Sequence, residues 1–186
     1  MTADYSPLLP EYLSQLALAA DKGPILDLAC GGGRNGLYLI EHNIPVVFGD
    51  INPEALAQVQ QALTGEQVSA GAHLATLWPV DFERYQERQL NDRMFGGIVV
   101  YRYLHRPLFG SIKQAVYPGG IVIYETFTVD QPQFGRPGNP DFLLEHGELQ
   151  TVFSDWNILH SFEGVVTNNS GDGSQAIAQI VAIKGR

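Results

Sequence analysis

Apolar positions recur along the chain in short runs of two periods, and the alternation of those periods predicts the architecture. Over residues 8–20, Leu9, Leu13, Leu16 and Ala20 recur at helical spacing, and Gly23-Pro24 ends the segment. Residues 25–29 predict a short buried strand, and residues 34–41 a helix that ends near Asn43 and Pro45. Val46-Val47-Phe48 predicts a second strand. Asn52-Pro53 then starts a helix to about Leu63, with Asn52 as N-cap and Pro53 in the first turn. A third strand is expected over residues 72–77, a polar helix over 82–92, a fourth strand over 97–101 and a helix over 107–116. Tyr117-Pro118-Gly119-Gly120 reads as a turn into a fifth strand over residues 121–124. This βαβ alternation predicts an α/β fold with a parallel sheet and helices on both faces.

The second half is patterned differently. Pro132, Gly135, Pro137, Gly138 and Pro140 punctuate residues 128–141, which reads as a loop over the edge of the sheet and a lid candidate. A short helix is expected over residues 147–153, a strand over 156–162, a turn over 168–174 and a last strand over 176–183. Two strands joined without a helix pair antiparallel. No repeat or linker divides the 186 residues, so one domain is expected over 1–186, with an N-terminal helical segment over 1–22.

Charge then narrows the function. Eleven Lys and Arg stand against 20 Asp and Glu, a formal net charge of −9 that repels phosphate backbones and argues against a nucleic-acid partner. Cys30 is the single cysteine, so neither an intrachain disulfide nor a thiolate metal cage is expected. The N-terminal residues lack a basic stretch followed by an apolar run, and no apolar run approaches the roughly 20 residues that span a bilayer. A cytoplasmic protein with no membrane partner is the expectation, and no feature speaks to an oligomeric state.

Ile25-Leu26-Asp27-Leu28-Ala29-Cys30-Gly31-Gly32-Gly33-Arg34-Asn35-Gly36 is the most informative segment. Three consecutive glycines between a strand and a helix let a ligand approach the backbone, and the helix start offers amide donors. Asp50 ends the next strand, where a carboxylate can accept hydrogen bonds from ribose hydroxyls. Gly31, Gly33 and Gly36 also fit the glycine spacing of dinucleotide-binding loops. Asp27 separates the two readings by the sign of its charge. A carboxylate opposes a pyrophosphate but attracts the sulfonium and ammonium of S-adenosylmethionine, whose own carboxylate can rest on loop amides.

Leu26-Asp27-Leu28-Ala29-Cys30-Gly31-Gly32-Gly33 resembles the first motif of class I S-adenosylmethionine-dependent methyltransferases. Further motifs follow in order over about residues 25–125. Gly49-Asp50-Ile51 resembles the ribose-binding acidic position, Val80-Asp81-Phe82 the position that meets adenine, and Tyr117-Pro118-Gly119-Gly120 the turn before the fifth strand. The resemblance implies a Rossmann-like three-layer sandwich whose mostly parallel seven-stranded sheet has an antiparallel last strand. It implies cofactor contacts from Asp27, Ala29, Gly31, Gly33, Asp50, Ile51, Asp81, Phe82 and Tyr101. Within that superfamily, Gly33-Arg34-Asn35 and Gly147-Glu148-Leu149 followed by Trp156 look most like the tellurite-resistance, TehB-like group. Gly97 departs from the pattern, because many members carry Asp there.

Tyr101-Arg102-Tyr103-Leu104-His105-Arg106 follows the fourth strand, at the edge where open α/β sheets bind ligands. Arg102, His105 and Arg106 are candidates to anchor an anionic small-molecule acceptor, with His105 removing a proton. Equally open is a packing role for His105, with Arg102 and Arg106 pairing with Glu125 or Asp130. Glu125 either holds an arginine or acts as a base. Phe127, Phe134 and Arg136 belong to the expected lid. Asp27 and Asp50 could instead cap neighbouring helices, Arg34 either faces the site or is solvated, and Cys30 reads as a small buried residue. His146 and His160 lack metal-ligand spacing, so no metal is assigned. The expected reaction is direct methyl transfer to a small acceptor. The rivals are an NAD(P)-binding oxidoreductase, which lacks a Tyr-x-x-x-Lys pair here, and a non-enzymatic cofactor-binding module.

Overall fold

Strands β1 (Ile25–Leu28), β2 (Val46–Asp50) and β4 (Phe95–Tyr101) are buried at every residue, as apolar runs covered on both faces must be. The computed structural model describes residues 5–65, 69–84, 90, 92–167 and 173–185. With β3 (Ala75–Pro79), β5 (Val116–Phe127), β6 (Asn157–Thr167) and β7 (Ser174–Ile183), they form a seven-stranded sheet ordered β3-β2-β1-β4-β5-β7-β6. The pairs from β3 through β5 are parallel, while β7 runs antiparallel to both β5 and β6. The fold is Rossmann-like α/β, with the antiparallel strand where it was expected.

Side-chain alternation divides the apolar residues between two cores. On one face Ile25, Phe48, Val99 and Ile123 pack under helices α1 (Leu8–Glu11), α2 (Leu13–Ala20), α3 (Arg34–Glu41) and α4 (Pro53–Leu63). On the other, Leu26, Ile98, Val122 and Ile180 pack under α5 (Leu108–Ala115) and α6 (Glu148–Val152). Asn52 caps α4 as expected, its Oδ1 accepting from the Glu54 amide at 2.9 Å. Strand order reverses between β1 and β4, and their carboxyl ends frame the crevice where open α/β sheets bind ligands. No helix among the described residues is long and apolar enough to cross a membrane.

Several boundaries differ from expectation for physical reasons. The helix expected over residues 8–20 breaks at Tyr12, which leaves helical geometry at φ −109° and ψ 21°. The third strand starts later than predicted, because Ser69–Leu74 first winds into a 3-10 turn. Tyr117-Pro118-Gly119-Gly120 is an irregularity within β5 rather than a turn before it, with Gly119 at φ 74° and a register shift against β4. The loop over residues 128–141 contains two 3-10 turns, Gln131–Gln133 and Pro140–Phe142. Most of the helix expected over 82–92 and of the turn over 168–174 lies outside the described residues. Gly97 sits inside β4, where a Cβ would stand 2.7 Å from Ile121 Cγ2 and 2.8 Å from its carbonyl oxygen. Close pairing with β5 therefore accounts for glycine at the position where the family often has Asp.

Candidate active site

Between β1 and α3 the chain turns through left-handed conformations at Ala29 (φ 54°), Gly31 (φ 53°) and Gly33 (φ 76°). The glycines of this loop divide their work. A Cβ on Gly31 would meet no atom within 4 Å, so this is the glycine that faces open space. A Cβ on Gly33 would stand 2.5 Å from Val59 Cγ2, and one on Gly36 2.3 Å from Phe48 Cε1; both are packing glycines under the loop. Four of the amides in this segment are already bonded within the protein. The Cys30 amide donates to the Gly49 carbonyl, Gly31 to Asp50 Oδ2, Gly33 to the Cys30 carbonyl and Gly36 to Asp27 Oδ2. Asp50 and Asp27 thus take two of these amides, and backbone carbonyls take the other two.

Asp50 closes β2 with both oxygens engaged, Oδ2 by the Gly31 amide and Oδ1 by the Asn52 amide, each at 2.8 Å. Asp27 points from β1 toward α3 and is 2 % exposed. Burial pushes its carboxyl up to about 7, with the Asp50 charge adding to the rise; the Gly36 amide and the Arg34 charge oppose it. Asp27 Oδ2 accepts from the Gly36 amide in the first turn of α3 at 2.9 Å, and the residue also lines the larger cavity of the site. Burial likewise drives the Cys30 thiol upward, which fits a small packed residue rather than a nucleophile.

Two cavities open at the carboxyl ends of the strands and share Ala29 as a wall. The larger, about 550 Å³, is lined by Asp27, Ala29, Gly31, Arg34, Tyr101 and Arg102 among others. The smaller, about 250 Å³, is lined by Ala29, Asp50, Ile51, Asp81, Phe82 and Tyr103 together with Val80 and Glu83. Asp81 is braced by the Glu83 and Arg84 amides, both donating to its Oδ1, and Phe82 packs edge-on against Trp78. The predicted cofactor residues thus come together, except Gly33, which lies beneath the loop. Tyr103 was absent from the predicted set. Its period-two relation to Tyr101 across a strand end was the only signal for it, and its hydroxyl donates to Glu83 Oε1 at 3.4 Å. Arg34 faces the site, its guanidinium 4.5 Å from the Tyr101 ring centroid.

Across the crevice, Arg102 takes a left-handed backbone at φ 59°, and its amide donates to the Glu125 carbonyl at 2.8 Å. Its side chain lies over the rings of Tyr101 (4.9 Å) and Phe127 (4.2 Å). Nη2 reaches Glu125 Oε1 and the Tyr101 hydroxyl, each at 3.3 Å. Arg102 Nη1 and His105 Nε2 are buried without a hydrogen-bond partner among the described residues. Glu125 holds an arginine, the first of its two expected roles. Arg106 pairs with neither Glu125 nor Asp130. It forms a bidentate pair with Glu148 at 2.7 and 2.8 Å and also donates to the carbonyls of Asp141 and Leu143, a strut rather than a group aimed at a ligand. His146 bonds Glu163, and His160 bonds Gln179.

The family model described as tellurite resistance protein TehB matches residues 14–175. A Haemophilus influenzae protein described as a probable S-adenosyl-L-methionine-dependent methyltransferase TehB is 27% identical over 147 residues, 76% of this chain and 48% of that protein. The chain therefore spans about half the length of this relative. Among solved structures, TehB from Haemophilus influenzae superimposes with a TM-score of 0.68 at 22% identity, over 92% of this chain and 61% of that one. An S-adenosylmethionine-dependent methyltransferase from Methanosarcina mazei gives 0.66 at 16% identity, over 97% and 98%. The glycopeptide N-methyltransferase MtfA, solved with S-adenosylhomocysteine, gives 0.64 at 17% identity, over 95% and 88%. These structures share the fold.

Proposed function

The chain belongs to the TehB family of tellurite resistance proteins, and from that premise we propose that it is an S-adenosylmethionine-dependent methyltransferase acting on a small anionic acceptor. The observation that carries this reading is the carboxylate of Asp27, buried in the wall of the larger cavity. Burial disfavours its charge, and a cationic ligand group beside it restores the balance. The donor set fits the cofactor's parts. Asp27 would meet the sulfonium and ammonium, Asp50 would accept from the ribose hydroxyls, and Asp81 with Phe82 would meet the adenine, since the first lines the larger cavity and the others the smaller. The chemistry that S-adenosylmethionine brings is a methyl group already activated by its sulfonium.

The protein's own share is alignment and the exclusion of water. The Arg102 guanidinium lies close to the rings of Tyr101 and Phe127, and Nη1 is left to donate to an acceptor oxygen. His105, whose Nε2 also has no partner among the described residues, takes a proton from acceptors that must lose one. The family's name points to tellurite as the first acceptor to try, followed by selenite and small thiols. Calorimetric titration with S-adenosylmethionine and S-adenosylhomocysteine, with NADH as control, tests the cofactor. Micromolar binding of the first two alone is expected. A folded sample that binds neither, or that binds NADH instead, overturns the proposal.

A further inference from the structure

Arginine and carboxylate side chains usually pair through two parallel hydrogen bonds. The Arg102–Glu125 pair does not. A single guanidinium nitrogen, Nη2, approaches Glu125 Oε1 at 3.3 Å, although the two side chains are only 18% and 3% exposed. The second carboxylate oxygen is already engaged: Glu125 Oε2 accepts from Gln179 Nε2 at 2.7 Å. The register of the antiparallel pair puts Gln179 of β7 directly opposite Glu125 of β5. Gln179 is itself oriented. Its nitrogen faces Glu125, so its Oε1 faces His160 Nε2 at 3.1 Å, and that histidine nitrogen carries the hydrogen.

We propose that Gln179 is a positioning residue. By holding one oxygen of Glu125, it keeps the Arg102 pair single and leaves Arg102 Nη1 for the acceptor. This rests on the reading of Arg102 as the acceptor anchor. Sequence spacing gave no sign of it, because residues 102, 125 and 179 meet only through strand pairing.

The test replaces Gln179 by Met, which keeps length and apolar volume but removes both hydrogen bonds. Side-chain nitrogen NMR of the full chain reads the result, with the Arg102 signals identified by their loss in Arg102→Lys. In Gln179→Met, Glu125 is free to take both nitrogens, so the Arg102 guanidinium signals move and the affinity of the S-adenosylhomocysteine complex for tellurite falls about tenfold. S-adenosylhomocysteine affinity stays at the wild-type value. In an Arg102→Lys background the substitution makes no further difference to tellurite binding, because Gln179 acts through Arg102. Unmoved Arg102 signals in folded Gln179→Met, or an equal loss of tellurite affinity in both backgrounds, overturn the proposal.

Should the Met variant not fold, the wild type decides. The Gln179 side-chain amide protons exchange slowly with water if they hold Glu125, and exchange as fast as those of an exposed glutamine if they do not. Failure of the methyltransferase reading shows separately, as wild-type protein that binds no S-adenosylhomocysteine while the Arg102 signals still respond to Gln179→Met.

Discussion

At the ends of β1 and β2, the carboxylates of Asp27 and Asp50 are held by backbone amides, whereas beyond β4 Arg102 and His105 each keep a buried nitrogen without a partner among the described residues. The first region is complete before any ligand arrives. Its shape is fixed by bonds between the loop and its own acids, so the cavity is preorganised. The second region leaves the Arg102 Nη1 donor short of one acceptor among the described residues. A buried donor without a partner is costly, and a ligand that supplies the missing oxygen regains that energy on binding. The two regions thus differ in kind, one closed by its own hydrogen bonds and one holding a buried donor still to be met.

Substitutions that strike one half and spare the other sharpen this contrast. Arg102→Ala is expected to have the largest effect, cutting kcat/KM for an anionic acceptor about a hundredfold while the cofactor dissociation constant stays within about twofold. Equal losses in acceptor turnover and cofactor affinity would erase the distinction between the halves. Asp50→Ala comes next. It removes the brace of the Gly31 and Asn52 amides together with the ribose acceptor, and weakens S-adenosylmethionine binding about tenfold or more by calorimetry. An unchanged dissociation constant in folded protein would remove Asp50 from the site.

Asp27→Asn has the smallest effect, and that effect depends on pH. Burial raises the wild-type carboxyl from 3.8 to about 7, so the folded state binds this proton more tightly than the unfolded chain. Its contribution to stability is therefore present below 3.8 and is lost as pH rises through about 7. The asparagine variant lacks this loss. Its stability relative to wild type should grow as pH rises between those values and then level off, as read by denaturant melts across the range. Wild-type affinity for the cationic cofactor should improve as Asp27 ionises, by several-fold through about pH 7, and the variant's should not. Parallel curves for the two proteins would show that Asp27 does not titrate in this window.

The contrast between the halves also explains what could be read from the sequence. Asp27, Gly31, Asp50 and Asp81 were legible because backbone geometry demands particular residue types at fixed spacing after particular strands. The βαβ order and the antiparallel β7 were legible for a similar reason, since period and turn chemistry are local. The partners of Arg102 and Arg106 were not. Glu148 lies 42 residues from Arg106, and Gln179 lies 54 residues from Glu125; no local pattern ties either pair together. The break at Tyr12 was hidden because Leu9 and Leu16 are both fully buried on either side of it, as in one continuous helix. The late start of β3 was hidden because Leu74 and Ala75 both pack against the core, although only Ala75 belongs to the strand.

The segment from Thr128 to Leu144 is closed at its neck, where the Val129 amide donates to the Leu144 carbonyl and the Leu144 amide to the Phe127 carbonyl. Gln131 fastens it again by accepting from the Ala176 amide at 2.8 Å. A segment pinned in this way behaves as a cassette. Doubling the length of a flexible loop beyond a closed neck costs only about 0.6 kcal/mol in chain entropy. Residues 132–141 can therefore change in length at little cost while the neck bonds and the sheet stay as they are.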